Sequence, residues 1–282
     1  MALRKTVVSA LDSAGVGDPA RRAKQALRAT GNAMIDALDR TGLGGPARRA
    51  LHLPSATGLT HWTPLVPEGP FHDACLGAIA TLRRDGTDIG DYLEFGVSRG
   101  TSLACMHRAL DEAGLRQVRL FGFDSFQGLP PEAAQEGWPP GEFMSTLGAT
   151  RRHLTQAGVD WARVTLVKGW FHDTLTPETA ARLGIRKASL IMVDCDIHAA
   201  ARECLRFCEA LIRDRAVVFF DDWGSDPNGE RKAFTEFLTD FPHFSAEKLP
   251  AYIPAARVFL VTRRGVMPPS PSGPHPPEFP SR

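Results

Sequence analysis

The sequence predicts an α/β fold, a doubly wound sheet with an N-terminal helical extension. Three observations carry this. Short β-branched runs alternate with helical segments of about ten residues, the pattern of parallel strands joined by crossovers. Several of the apolar runs stop abruptly at acids or glycines. Residues 1–55, by contrast, hold repeated helix-stop signals and no strand pattern.

Taken in order, ALDSAGVGDPARRA (10–23) returns as ALDRTGLGGPARRA (37–50) with ten of fourteen residues identical. Each copy reads as a helix end, a Gly-x-Gly stop and a proline in the first turn of the next helix. Two copies fall short of the three a solenoid needs. The expectation is a basic helical extension that packs on the main domain, on a second subunit or on a membrane surface, and with it a homo-oligomer. FHDACLGAIATLRR (71–84) then reads as an amphipathic helix. It is followed by strand YLEFG (92–96), helix TSLACMHRAL (101–110), strand RLFGFD (119–124), helix RRHLTQAG (151–158) and strand VTLVKG (164–169). Strand LIMVD (190–194), helix AARECLRFCEALI (200–212), strand AVVFFDD (216–222), helix ERKAFTEFL (230–238) and strand RVFLVTR (257–263) complete a domain over 60–265. The Pro-rich stretch at 266–282 lacks a packing pattern and is expected to be disordered.

Composition bounds the function. Lys and Arg (33) balance Asp and Glu (32), so the average field does not call for nucleic acid. No apolar run reaches the ~18 residues of a membrane span, and Asp12 interrupts the apolar stretch that would make a secretion signal. Five cysteines without framework spacing suit a reducing cytoplasm. Cys204 and Cys208, one helical turn apart, lack a second ligand pair and read as core or helix-face thiols.

In a doubly wound sheet ligands bind outside the carboxyl ends of the strands. EFGVSRG (94–100) places Glu94 at a strand end and Gly96 and Gly100 around a turn that opens a helix, whose first residues Thr101 and Ser102 bring unpaired amides. Asp124 ends the next strand, where an acid receives ribose hydroxyls in nucleotide-binding sheets. Neither GxGxxG nor GxxxxGK[ST] is present, so a nucleoside without a pyrophosphate fits better. The acids of DCD (194–196) and DD (221–222) close two successive strands. Parallel neighbours would gather Asp194, Asp221 and Asp222 at one edge, an all-oxygen donor set suited to magnesium beside a substrate.

LEFGVSRGTSL, FGFDSFQGLP, VKGWFHDTL (167–175), LIMVDCDIH and FFDDW, in that order over roughly 60–262, resemble the macrocin O-methyltransferase (TylF) family of class I S-adenosylmethionine-dependent methyltransferases. The resemblance implies a Rossmann-like sheet of seven strands, S-adenosylmethionine as methyl donor, a divalent ion and a small hydroxylated acceptor such as the sugar of a natural product. It also implies that Glu94 and Gly96 flank the methionine moiety, Asp124 and Ser125 the ribose, and Gly169 and Trp170 the adenine edge, with Asp194 also among the donor-binding residues. A carboxylate or histidine must take the acceptor proton, and Asp196 and His198 both stand where that is expected. The family commonly has an aliphatic residue and tyrosine after DxD, whereas this chain has Ile197 and His198. GWPPGEFMSTL (137–147) reads as a mobile cover. Two further readings remain: a phenol or catechol acceptor, whose vicinal hydroxyls chelate the same ion, and a non-catalytic partner protein built on the same scaffold.

Overall fold

The computed structural model describes residues 66–224 and 229–265. Contacts divide the chain into Met1–Leu65 and Val66–Arg282. The N-terminal repeat and the Pro-rich tail lie outside the described residues.

Seven strands form one sheet: β1 (Asp91–Phe95), β2 (Leu120–Asp124), β3 (Val164–Lys168), β4 (Ala188–Val193), β5 (Arg215–Phe220), β6 (Phe244–Leu249) and β7 (Arg257–Arg263). Their spatial order is β3-β2-β1-β4-β5-β7-β6. The order reverses between β1 and β4, which opens the crevice where such sheets bind ligands. The first five strands pair in parallel. β7 runs antiparallel between β5 and β6. β6, FSAEKL, was not expected as a strand: it lies at the sheet edge and its exposed Glu247 and Lys248 break the apolar run, as edge strands do to discourage pairing with other chains.

Alternate residues of each central strand face opposite layers. Tyr92, Leu190, Met192, Val217 and Phe219 point into one cluster with α1 (Glu68–Arg84) and α2 (Thr101–Glu112). Leu93, Phe95, Ile191, Val193, Val218 and Phe220 point into the other, beneath α6 (His198–Glu209) and α7 (Glu230–Asp240). The helices fit these faces because their apolar residues recur at three- and four-residue steps: Phe71, Cys75, Ala78 and Leu82 on α1, Ala201, Cys204, Leu205 and Cys208 on α6. Burying one such Leu or Phe contributes about 1.5–3 kcal/mol. All five cysteines are buried thiols. Three shorter helices, α3 (Leu147–Gln156), α4 (Phe171–Thr174) and α5 (Pro177–Leu183), complete the connections with a 3-10 turn at Pro131–Glu136. α3 begins earlier than the sequence pattern suggested, at the end of the expected cover, because the Thr146 side chain accepts the Ala149 amide and caps it.

Candidate active site

The β1–α2 turn is built by close approach. Gly96 has φ +87, and a Cβ there would lie 1.8 Å from the Asp194 carbonyl oxygen, so only glycine lets the turn lie against the end of β4. Asp124 then fastens that turn. Its Oδ2 accepts the Val97 and Ser98 amides, both at 2.8 Å, and its Oδ1 accepts the Phe126 amide at 2.5 Å. Burial raises the Asp124 pKa although these three amides oppose it. The carboxylate expected at the ribose thus stands half-buried on the Gly96 turn, with three backbone amides on its two oxygens. Ser125 Oγ, donating to the Gly128 carbonyl and accepting the Gln127 amide at 3.0 Å each, shapes the next turn.

Glu94 was expected to border the donor, and its placement differs. Strand alternation puts it on the same face as Tyr92, under α2 and without exposed surface. Its Oε2 accepts the Tyr92 hydroxyl at 2.5 Å and its Oε1 the Ser102 hydroxyl at 2.8 Å. Burial pushes its pKa up to about 8, against the pull of those two hydroxyls. Ser102 thereby uses its side chain inward, and Thr101 beside it is buried. Gly100 caps α2 with φ +87. Across β2, the Gly169 amide bonds the Asp124 carbonyl at 3.0 Å, and half-buried Trp170 caps α4, its carbonyl accepting the Asp173 and Thr174 amides.

The strand-end acids do converge. Phe95 pairs with Val193 and Val193 with Phe220, so the residues just beyond are level. Asp194, Asp221 and Asp222 each offer an oxygen within 4.8 Å of the others. Asp194 is half-buried and the other two are buried. Burial, then Asp221 and Asp222, raise the Asp194 pKa well above the carboxylate range, the signature of like charges crowded in low dielectric. Three carboxylate oxygens at this spacing fit a hard divalent cation with positions left for substrate.

Asp196 is buried in left-handed backbone, φ +61. It does not cap α6: Ile197 stands there, and the His198 amide donates to Glu136 Oε2 at 2.8 Å. The His198 ring, on the first turn of α6, bonds Glu236 of α7 at 2.8 Å through Nε2, and that bond holds the Glu236 carboxylate below its usual range. The segment expected to be a mobile cover is tied down at several points. The Leu129 amide donates to the Glu142 carbonyl at 2.9 Å and the Leu129 carbonyl accepts the Gly141 amide at 2.8 Å, Ser98 Oγ donates to the Phe143 carbonyl at 3.2 Å, and Trp138 packs on Ala133 and Ile197. Two residues that sequence reasoning missed complete the acidic end, Glu230 and Tyr252. The Tyr252 hydroxyl donates to Asp221 Oδ1 at 2.5 Å. Glu230 opens a helix that the sequence pattern did reveal, but nothing in ERKAFTEFL marks its acid as buried; Tyr252 lies in a loop with no local signal.

The family described as macrocin O-methyltransferase (TylF) matches residues 73–242, which include the glycine turn and every strand-end acid. The chain belongs to this family. A curated relative, the 8-demethyl-8-(2,3-dimethoxy-α-L-rhamnosyl)-tetracenomycin-C 4'-O-methyltransferase of Streptomyces olivaceus, is 27% identical over 157 residues. That match covers 52% of this chain and 58% of the relative, so the chain spans less than two thirds of that protein's length. Among solved structures, the O-methyltransferase NovP superposes with a TM-score of 0.57 at 19% identity, and the calicheamicin methyltransferase CalS11 with 0.55 at 23%. Each superposition covers 69% of this chain and 79% of the other. At these identities the two structures establish the Rossmann-like methyltransferase fold of the macrocin O-methyltransferase family chain. Tyr252 and β7 lie beyond the matched residues.

Proposed function

We propose that this macrocin O-methyltransferase family member transfers the methyl group of S-adenosylmethionine to a hydroxyl of a sugar or polyhydroxy natural product, with a divalent cation, magnesium by its chemistry, held by Asp194, Asp221 and Asp222. The observation that carries the reading is the meeting of those three carboxylates at the ends of adjacent strands, level with the Gly96 turn. Family membership supports methyl transfer, and the rhamnosyl acceptor in the name of the Streptomyces olivaceus relative supports a sugar hydroxyl. When bound, the donor supplies an electrophilic methyl on a sulfonium, and the cation a positive charge that lowers an alcohol's pKa. The chain's own residues supply position and proton transfer. Asp124 locks the turn against which the donor lies, and Gly96 lets it reach the backbone; Gly169 and Trp170 form the far wall. His198, partly open to solvent and oriented by Glu236, receives the acceptor proton, while Asp196 is held in buried backbone.

The test is calorimetric titration with S-adenosylmethionine, followed by mass-spectrometric screening of glycosides and catechols with and without magnesium. Donor binding without metal, and metal-dependent methylation of a glycoside, are expected. Asp221→Ala should lower turnover about a hundredfold or more, since metal charge stabilisation is worth several kcal/mol, while sparing donor affinity. Catechol methylation without glycoside methylation would reassign the acceptor; no donor binding would remove the reading.

A further inference from the structure

The three aspartates sit on segments that leave the sheet. The last backbone bond between the two strands is the Asp221 amide to the Val193 carbonyl, 3.3 Å. Beyond it β4 continues into Cys195 and β5 into Asp222, and the sheet no longer fixes their separation. Glu230 spans this gap. It is the first residue of α7, with no exposed surface, and its Oε1 accepts the Cys195 amide at 3.3 Å while its Oε2 accepts the Asp222 amide at 3.0 Å. One carboxylate therefore ties together the residue after Asp194 and the backbone of Asp222. Burying an acid beside three others is costly, so a position that does so calls for a compensating role. The start of a helix and two amide donors are the two features that make it tolerable.

Tyr252 acts on the third aspartate. Its hydroxyl holds Asp221 Oδ1 at 2.5 Å, and its ring is fixed by an edge contact with Phe71, centroids 4.9 Å apart. Asp221 rotation about its side-chain bonds is thereby restrained from outside the two strands that carry the acids.

We propose that Glu230 and Tyr252 are positioning residues of the cation site, Glu230 setting the spacing of the β4 and β5 ends and Tyr252 the orientation of Asp221. This rests on the metal-assisted reading above. Neither residue is a ligand in this scheme: the Glu230 oxygens face backbone amides, and Tyr252 reaches the site only through Asp221.

Glu230→Gln keeps the side-chain volume but turns an amino group toward one of the two amides, so one tie is lost. Tyr252→Phe removes the hydroxyl and leaves the packing on Phe71. Full-length wild type and both variants would be titrated with magnesium by calorimetry and with manganese by electron paramagnetic resonance. Donor affinity and the metal-free melting temperature would be measured alongside. Outer-shell partners of metal ligands typically contribute about 10–100-fold in metal affinity. The expected result is about that loss for Glu230→Gln and about tenfold for Tyr252→Phe, with donor affinity unchanged and the Tyr252→Phe melting temperature near wild type. A merely structural role would instead lower melting temperature and leave the metal constants alone. Wild type that binds neither ion overturns the metal reading itself. Wild type that binds, with both variants binding as tightly, overturns this inference and leaves that reading standing. Should Glu230→Gln fail to fold, Tyr252→Phe decides: undiminished metal affinity there overturns the proposal.

Discussion

Glu94 shows how one side chain records its surroundings in the pH dependence of stability. Its carboxyl, with no exposed surface, is pushed to about 8 from the usual 4.5, burial outweighing the Tyr92 and Ser102 hydroxyls. A folded pKa above the unfolded one means that, between the two values, the folded state keeps a proton the unfolded chain has released. Stability contributed at this position is present below about 4.5 and is lost as pH rises toward about 8, at up to about 1.4 kcal/mol per pH unit. Glu94→Gln cannot titrate. Urea unfolding at a series of pH values across that window should therefore show the variant gaining on wild type as pH rises. Parallel profiles would mean that Glu94 ionises as easily in the fold as in the unfolded chain.

Among the elements, the segment between β2 and α3 carries a small apolar cluster of its own. Trp138, Ala133 and Ile197 form a small apolar cluster apart from the two that line the sheet, with Leu129, Phe143 and Ala200 against it. Removing a buried aromatic costs about 3–5 kcal/mol, and at a satellite cluster that cost is expected to fall locally. In Trp138→Ala, hydrogen exchange should lose protection at the Leu129 and Gly141 amides while β1, β4 and β5 stay protected. Uniform loss across the strands would place Trp138 in the main core. The same contrast explains which elements the sequence disclosed. Six strands were legible as short apolar runs, and the central ones, buried on both faces, end at acids or glycines. β6 was not: the other edge strand, β3, keeps the apolar pattern VTLV, whereas FSAEKL carries the exposed Glu247 and Lys248 and only one wholly buried residue, Phe244. The Asp194, Asp221 and Asp222 group was legible because Asp194 and the Asp221–Asp222 pair directly follow such runs. Glu230 and Tyr252 were not, because their partners are a backbone amide pair and an aspartate distant in sequence. Glu94 and Asp124 were found by the same strand-end pattern, but that pattern reports where a residue lies and not what its oxygens bond.

At the scale of the whole molecule, the sheet reversal between β1 and β4 gathers glycine turn and acids at one edge, and it also concentrates unfavourable charge there. Burial and mutual repulsion raise the pKa of Asp194, and burial and Asp222 do the same for Glu230. A cation that binds this arrangement and not the unfolded chain must stabilise the fold by mass action. At a free concentration of about one hundred times Kd the gain is about 2.7 kcal/mol. For a domain of about 200 residues each kcal/mol moves the melting temperature by about 2–4 °C, so magnesium should raise it by about 5–11 °C. A chelator should reverse the shift, and Asp221→Ala, which removes one of the three carboxylates proposed as ligands, should abolish most of it. The comparison is made by calorimetric melting at constant ionic strength, with potassium in place of magnesium as control, because simple screening of like charges would give both salts the same effect. Equal shifts in the two salts would leave the acids as a repulsive cluster without a resident cation, and the Asp221→Ala variant would then melt higher than wild type in both.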